Sequence, residues 1–216
     1  MTDTHASIAT ITAVYAAVDP AHLREALSAV ISQTLAPREV LVVADGALTE
    51  RLESVIAELS DQLPMTLLRL PQQSGSGPAR QVALEAATAD WVAVVDADDI
   101  SLPERLERQL VAARQRGLDL IGTAVEEFDT DDDTVLGVRR FASGNDALRQ
   151  QLRTRNAFNH PSVLMSRRRA LSVGGYRHLP YLEDYDLCAR FAAADAPIGN
   201  LDEVLVRFRG GGPSQR

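Results

Sequence analysis

The sequence predicts an α/β fold in which a Rossmann-like, mostly parallel sheet is flanked by helices. Strand-like and helix-like segments alternate in the order β-α-β-α-β-α-β over residues 8–95, with short connections. This order is typical of a parallel sheet covered by helices on both faces. The last strand, residues 91–95, is a continuous apolar run, and Asp96, Asp98 and Asp99 follow it. Since ligands bind at the carboxyl ends of strands in such sheets, we expect a nucleotide site at this edge.

The first half of the chain supplies the β-α units that precede this strand. Asp19 is expected to cap the first helix, with Pro20 at its first position. Pro64 ends the second helix, and Gly77 and Pro78 begin the third. The predicted strands are residues 8–14, 40–43, 66–70 and 91–95, and the helices carry their apolar faces over residues 23–34, 52–63 and 77–89.

The second half begins with a helix. Ser101 is the predicted N-cap, Glu104 occupies the capping-box position, and Gly117 ends the helix after Arg116. No linker or repeat divides the chain, so we expect one domain over residues 1–216, with a nucleotide-binding half at about 1–100 and an acceptor-binding, catalytic half at about 101–216. Further strands are predicted at 118–123, 135–141, 162–165, 198–201 and 204–208, and helices at 145–155 and 182–194.

Composition excludes several classes of protein. The net charge of −8 and the pI near 5.0 argue against nucleic acid as a partner, so a phosphate-bearing substrate needs local cations or a metal. The single cysteine, Cys188, excludes an internal disulfide and fits a reducing cytoplasm. The polar start of the chain lacks a signal core, and no apolar run approaches the ~20 residues that cross a bilayer. A soluble, cytoplasmic protein is therefore expected, with oligomeric state and peripheral association with a membrane left open.

The carboxylates after the strand at 91–95 are the strongest chemical signal. Side chains alternate along a strand, so Asp96 and Asp98 are expected to point the same way. Two convergent carboxylates require a proton, water or a cation between them, and a hard divalent metal that carries substrate phosphates fits this need. The alternative is a surface turn, and Asp99 is expected only to cap the following helix.

Other polar residues each have a structural and a functional interpretation. Asp45 ends the second strand, either as a turn residue or as a partner of a nucleobase or ribose. Arg80 is either a solvated helix residue or a cation for a diphosphate. Glu183 and Asp184 begin a helix, where the helix dipole favours acids, or where one of them acts as a base. His160 is either structural or a contact for an acceptor or the diphosphate.

Two segments resemble binding loops only superficially. Residues 74–77 lack the Lys of a Walker motif and the third Gly of a dinucleotide fingerprint, which weakens the NTPase and dehydrogenase interpretations. Residues 129–133 lack the Gly and Glu that an EF-hand requires at its sixth and twelfth positions, so they are interpreted as a solvated loop.

A set of short motifs follows one order along nearly the whole chain. They occupy residues 11–15, 28–35, 39–46, 77–80, 95–99, 102–106, 159–163, 174–176 and 183–187. Each motif alone is weak, but the ordered set resembles family 2 glycosyltransferases with the GT-A fold. Residues 158–161 and 181–185 further resemble the subgroup that assembles bacterial exopolysaccharide and surface glycans.

The resemblance implies a donor site at the carboxyl edge of the sheet. Tyr15 and Asp45 would flank the nucleobase, and Arg80 would also contact the nucleotide. Asp96 would bind the ribose or the metal, and Asp98 would be the principal ligand of Mg²⁺ or Mn²⁺. By resemblance alone, a UDP-sugar is the first choice of donor.

The resemblance also implies an inverting mechanism. Asp184 would be the general base, with Glu183 and His160 supporting it or contacting the acceptor. The acceptor would be a saccharide or a lipid-linked saccharide of bacterial glycan biosynthesis, reached in the cytoplasm or at the inner face of the membrane. The identity of the sugar and the linkage are not determined by these motifs.

The chain departs from the family pattern at a few positions. Ala16, Ala44, Ala47 and Gln81 stand where Asn, Asp, Ser and Asn are common, and residues 207–212 lack the His that some relatives use as a metal ligand. These departures concern donor identity and activity more than fold. One alternative is a degenerate, non-catalytic nucleotide-sugar-binding module. Another is a sugar nucleotidyltransferase, which would usually carry a Gly-rich basic loop that residues 8–19 lack.

Overall fold

The computed structural model describes residues 6–210, and its first half alternates strands and helices as expected. Asp19 caps the first helix by accepting a hydrogen bond from the Ala21 backbone N–H at 2.7 Å, and Thr49 caps the second by accepting from that of Leu52. The elements are β1 (Ile8–Val14), α1 (Pro20–Ile31), β2 (Glu39–Asp45), α2 (Glu50–Ser60), β3 (Met65–Leu70), α3 (Ser76–Ala86) and β4 (Trp91–Val94).

The short strand at Ile100–Ser101, the 3₁₀ turn at His160–Ser162 and the helix at Arg167–Ser172 were not predicted from the sequence. The second half contains strands, helices and this 3₁₀ turn. They are β5 (Ile100–Ser101), α4 (Arg105–Arg116), β6 (Leu120–Asp129), β7 (Val135–Arg139), α5 (Asn145–Gln151), a 3₁₀ turn (His160–Ser162), β8 (Leu164–Ser166), α6 (Arg167–Ser172), α7 (Glu183–Ala193) and β9 (Ile198–Gly210). Within residues 6–210, no helix is long and apolar enough to cross a membrane.

The described strands form one nine-stranded sheet. Strands β3, β2, β1 and β4 are neighbours in that order and run parallel. Next to β4 the direction changes: β8 pairs antiparallel with β4 and with β6, and β9 runs parallel to β6. The sheet is therefore parallel in the first half of the chain and mixed in the second. The carboxyl ends of β1, β2 and β4 share one edge, where the candidate site lies.

Helices cover both faces of the sheet. In β2, Val40 and Val42 pack against α1 and α2, whereas Leu41 and Val43 point to the opposite face, which packs against α3 and α7. The alternation explains why the strand is apolar at successive positions. Rigid packing on both faces fixes the edge that carries the polar side chains.

Local predictions were wrong at the start of α4 and in the last strand. Glu104 is the N-cap residue of α4 and makes no side-chain capping hydrogen bond, so it does not occupy the capping-box position. Ser101 does not cap α4, because residues 100–101 pair with β9 as a strand and the Ser101 Oγ accepts a hydrogen bond from Arg105 Nη1 at 2.8 Å. The two strands predicted at 198–201 and 204–208 are one strand, β9, because Asp202 and Glu203 are accommodated where the register against β6 shifts.

Candidate active site

A cleft at the carboxyl edge of the parallel strands consists of two adjoining chambers. The first chamber has a volume of about 670 Å³, and Tyr15, Asp45 and Asp98 are among the residues that line it. The second has a volume of about 410 Å³ and includes His160 and Asp184 in its lining. Ser76, Arg80 and Asp96 line both chambers. The fold therefore brings all the predicted site residues to one cleft, Glu183 among them.

Arg80 lies at the junction of the chambers and binds two carboxylates. Its Nη2 donates to Asp96 Oδ1 at 2.6 Å, and its Nη1 donates to Glu183 Oε1 at 3.0 Å. Burial opposes the charges of this group, but the attraction to Arg80 lowers the pKa of Asp96, and Asp96 in turn raises the pKa of Arg80. Both side chains are therefore charged at neutral pH. Glu183 also accepts a hydrogen bond from Ser76 Oγ, which ties the start of α7 to the start of α3.

Asp98 and Asp99 have different surroundings. The Asp98 carboxylate is exposed at the first chamber, with no ion-pair partner among residues 6–210. Partial desolvation and the neighbouring Asp96 charge raise its pKa. Asp99 is buried and its Oδ1 accepts from the Arg209 backbone N–H at 2.9 Å, so the expectation that it caps the next helix was wrong. The reason is that α4 begins only at Arg105.

The side chains near Asp98 determine which kind of metal ion the cleft could bind. Within residues 6–210, no group of three or more His, Cys, Asp or Glu side chains is placed to hold a metal ion. Asp96 and Asp98 line the same chamber, and one oxygen of Asp96 is occupied by Arg80. These residues fit a cation that is also coordinated by substrate and water, as is usual for Mg²⁺, and not one held by protein ligands alone.

Asp45 organises the loop that follows β3. Its Oδ1 accepts from the Ser74 backbone N–H at 2.6 Å and its Oδ2 accepts from that of Gly75 at 2.9 Å. Gly46 permits this close approach, because a Cβ there would lie 2.9 Å from the Gln73 backbone nitrogen. The sequence indicated that Asp45 faces this edge, but not that it holds the loop. Tyr15, which follows β1, is half-exposed on the chamber wall.

Asp184 occupies the first turn of α7 and faces the second chamber. Its Oδ2 accepts a hydrogen bond from Asn156 Nδ2 at 2.9 Å. Burial raises the pKa of this carboxyl above its ordinary value, which makes its ionised form a stronger proton acceptor. Asn156 orients the carboxylate, and no sequence signal identified it.

His160 is buried in the 3₁₀ turn and lines the second chamber. Its Nε2 lies 2.9 Å from the Tyr176 hydroxyl, and the two rings meet edge-on. Burial, followed by the charge of Arg80, lowers the pKa of His160 to about 3, so the imidazole is neutral. Its hydrogen bond to Tyr176 favours the interpretation that it shapes the chamber.

Sequence reasoning missed two arginines near the site. Arg105 is fully buried and donates to the Val94 carbonyl at 2.7 Å, directly before the carboxylate segment. Arg209, near the end of β9, lines the first chamber, and its Nε donates to the Asp98 carbonyl at 2.8 Å. Arg105 lies in the family motif at residues 102–106, but nothing in that motif indicates its role. Arg209 is too far along the chain from Asp98 for a local sequence pattern to predict that it lines the same chamber.

Known sequences resemble this chain over most of its length. The sequence model described as Glycosyl transferase family 2 matches residues 10–175. The chain is 35% identical over 193 residues to the amylovoran biosynthesis glycosyltransferase AmsE of Erwinia amylovora, which covers 89% of this chain and 72% of that protein. It is 30% identical over 210 residues to the UDP-Gal:alpha-D-GlcNAc-diphosphoundecaprenol beta-1,3-galactosyltransferase of Escherichia coli, which covers 97% of this chain and 76% of that protein.

Solved structures share the fold. The crystal structure of S. aureus TarS 1-349 in complex with UDP-GlcNAc superposes with a TM-score of 0.78 at 18% identity. The match covers 97% of this chain, and this chain spans 61% of that one. The complex of TarS 1-349 with UDP gives a TM-score of 0.76 at 19% identity, covering 95% of this chain and 61% of that one.

Proposed function

The chain belongs to glycosyl transferase family 2, and we propose that it is an inverting transferase that moves a sugar from a nucleotide-sugar donor to a saccharide or lipid-linked saccharide of bacterial glycan biosynthesis. The observation that carries the proposal is the shared cleft. Asp98 faces one chamber, Asp184 faces the other, and Arg80 lies between them. Such an arrangement can hold a donor diphosphate beside a base for the acceptor.

The first chamber suits the nucleotide part of the donor. Its volume of about 670 Å³ is in the range of small-molecule sites. The half-exposed Tyr15 ring offers a face for the nucleobase, and Asp45 lines the same chamber as a hydrogen-bond acceptor. A UDP-sugar is the proposed donor, because the Escherichia coli relative is named for UDP-Gal and the TarS structures hold UDP or UDP-GlcNAc.

Asp98 and Asp96 are the proposed protein ligands of Mg²⁺ or Mn²⁺. The Asp98 carboxylate, which forms no ion pair within residues 6–210, is the principal ligand, and Asp96 offers the oxygen that Arg80 does not occupy. Diphosphate oxygens and water would complete the coordination of a bound cation. When bound, the cation neutralises negative charge on the leaving diphosphate.

Asp184 is the proposed general base. It takes the proton from an acceptor hydroxyl while that oxygen forms a bond to the anomeric carbon. The bond from the anomeric carbon to the diphosphate oxygen breaks, and the nucleoside diphosphate leaves with the electron pair. Asn156 holds the carboxylate in place during this step, and the charge of Arg80 faces the departing group.

The second chamber suits the acceptor. Phe141, Phe158 and Phe208 contribute apolar surface to it, and Asp184 and Asn156 supply polar groups, a combination that fits the faces and hydroxyls of a sugar ring. The Escherichia coli relative is named for a diphosphoundecaprenol-linked acceptor. A lipid-linked acceptor would place the reaction in the cytoplasm, at the inner face of the membrane.

A nucleotide-sugar screen followed by product analysis tests the proposal. We expect UDP-sugars to raise the thermal unfolding temperature more in the presence of Mn²⁺ than in its absence. With an α-linked donor and a saccharide acceptor, NMR of the product should show a β-linkage. A retained configuration would contradict the single-displacement mechanism. Binding without transfer or donor hydrolysis, across plausible acceptors, would favour a non-catalytic nucleotide-sugar-binding module.

A further inference from the structure

The charges that line the first chamber are mostly negative. Asp19, Asp45, Asp96 and Asp98 contribute carboxylates, and the guanidinium groups among its described lining residues belong to Arg80 and Arg209. A nucleoside diphosphate brings further negative charge into this chamber. Its binding therefore depends on how much of the positive charge of each arginine is already compensated.

The two arginines differ in this respect. Arg80 is held between the largely buried carboxylates of Asp96 and Glu183, which neutralise it. Arg209 has a single carboxylate partner among residues 6–210, Glu25, whose side chain is 52% exposed. The Arg209 side chain is itself only 8% exposed, but the Glu25 carboxylate is open to water, so this pair exchanges its anion at less cost than the more buried pairs of Arg80. Nη1 of Arg209 has no hydrogen-bond partner within the described chain.

The Arg209 side chain is nevertheless held in place. Its Nε donates to the Asp98 carbonyl at 2.8 Å, and its backbone N–H donates to Asp99 Oδ1 at 2.9 Å. The guanidinium carbon lies 4.7 Å from the centre of the Phe128 ring. A planar cation fixed in this way is preorganised for two parallel hydrogen bonds to phosphate oxygens.

We propose that Arg209 binds the diphosphate of the donor, with phosphate oxygens replacing Glu25 as its partner. The inference rests on the proposed function and adds a residue to it. The contact with the Asp98 carbonyl places the Arg209 guanidinium beside the proposed metal ligand. The guanidinium and a bound metal ion would therefore both face the diphosphate that leaves. Since Arg209 belongs to β9, this strand forms part of the wall of the first chamber, next to residues 96–99.

Calorimetry with UDP, UMP and uridine, with and without Mn²⁺, tests this role. Arg209→Gln should weaken UDP binding about 10- to 100-fold, the range for a lost hydrogen bond between charged groups, while uridine binding stays unchanged. Arg207→Gln is the matched control, because Arg207 also stacks on Phe128 and pairs with Glu126 and Asp133, but lines neither chamber. We expect this variant to bind UDP as the wild type does.

Glu25→Gln provides a test in the opposite direction. Removal of the competing carboxylate should tighten UDP binding by a factor of about 2 to 5, and weaker UDP binding would contradict the replacement of Glu25 by phosphate. If Arg209→Gln does not fold, Arg209→Lys replaces it, with an intermediate loss of UDP affinity expected because the charge remains without the planar fork.

The outcomes separate this inference from the proposed function. Wild-type affinity for UDP in the Arg209 variant would overturn the inference and leave the donor assignment intact. An equal loss of UDP and uridine binding would also overturn it, since that pattern indicates a distorted chamber. Failure of the wild-type protein to bind UDP, GDP or ADP would overturn the proposed function and this inference together.

Discussion

Arg80 and Glu183 connect the two halves of the chain: Nη1 of Arg80 lies 3.0 Å from Oε1 of Glu183, across the junction of the chambers. Arg80 belongs to α3, which also borders the donor chamber, and Glu183 begins α7, which carries the proposed base. Gly77 allows α3 to approach the start of α7, since a Cβ there would lie 3.2 Å from the Glu183 Cβ. The first turn of α7 therefore holds Arg80 through Glu183 and also carries the proposed base, Asp184.

We predict that Arg80→Lys lowers turnover about 10- to 100-fold, because an ammonium group cannot hold the Asp96 and Glu183 carboxylates in the same geometry. Steady-state kinetics would measure the effect. Arg69→Lys is the control, since Arg69 is exposed and pairs with Glu53 away from both chambers. Full turnover in the Arg80 variant would show that this connection is not required.

Asp98→Ala should abolish the effect of Mn²⁺ on donor binding, since its carboxylate is the proposed principal ligand. We expect UDP-sugar affinity in Mn²⁺ to fall at least about 10-fold and to equal the affinity measured without metal. Calorimetry of Asp132→Ala, which removes an exposed carboxylate from the loop after β6, controls for the loss of a negative charge. Undiminished dependence on Mn²⁺ would place the metal elsewhere.

The buried His160 should make folding stability depend on pH. Its folded-state pKa of about 3 lies below the ordinary value of 6.5, so the unfolded chain binds a proton that the folded chain does not. The contribution of the neutral His160 to the free energy of unfolding is fully present above about pH 6.5. As the pH falls toward 3, this contribution is lost at up to about 1.4 kcal/mol per pH unit.

His160→Gln removes this proton linkage. Urea unfolding of both proteins at several values between pH 7 and pH 5 measures the difference, with the wild type losing more stability on acidification. Curves that stay parallel across this range would show that His160 does not titrate between the two states.

Arg105→Met should lower the free energy of unfolding by about 2–4 kcal/mol, because it removes donors from buried acceptors. The Arg105 guanidinium donates to the Val94 carbonyl, Ser101 Oγ and Gln109 Oε1. Arg108→Met, in the same helix, should cost less than about 1 kcal/mol, since Arg108 forms an exposed pair with Glu203. Equal losses in urea unfolding would contradict this difference.

The fold and the family could be predicted from the sequence to different depths. The GT-A fold, family 2 and the glycosyltransferase class are confirmed. Elements in residues 8–94 follow from local signals such as Asp19-Pro20 and the apolar run of β4. The mixed half of the sheet cannot be predicted from such local signals, because pairings such as that of β6 with β9 join segments far apart in the chain.

The same reason separates the site residues that were anticipated from those that were missed. Asp45, Asp96 and Asp98 follow predicted strands, so their edge of the sheet could be inferred. Asn156 and Arg209 reach the site through long-range contacts that no spacing encodes. The proposed roles of the anticipated residues remain predictions for experiment.

The measurement that tests the central claim most directly compares Asp184→Asn with the wild type in donor binding and in transfer. Asparagine preserves the size of the side chain but cannot accept the proton, so we predict wild-type donor affinity and a loss of transfer of about 10²- to 10⁴-fold. Asp195→Asn, at an exposed position just beyond the other end of α7, should transfer at the wild-type rate. Full turnover by the Asp184 variant, with donor affinity unchanged, would contradict the assignment of Asp184 as the base.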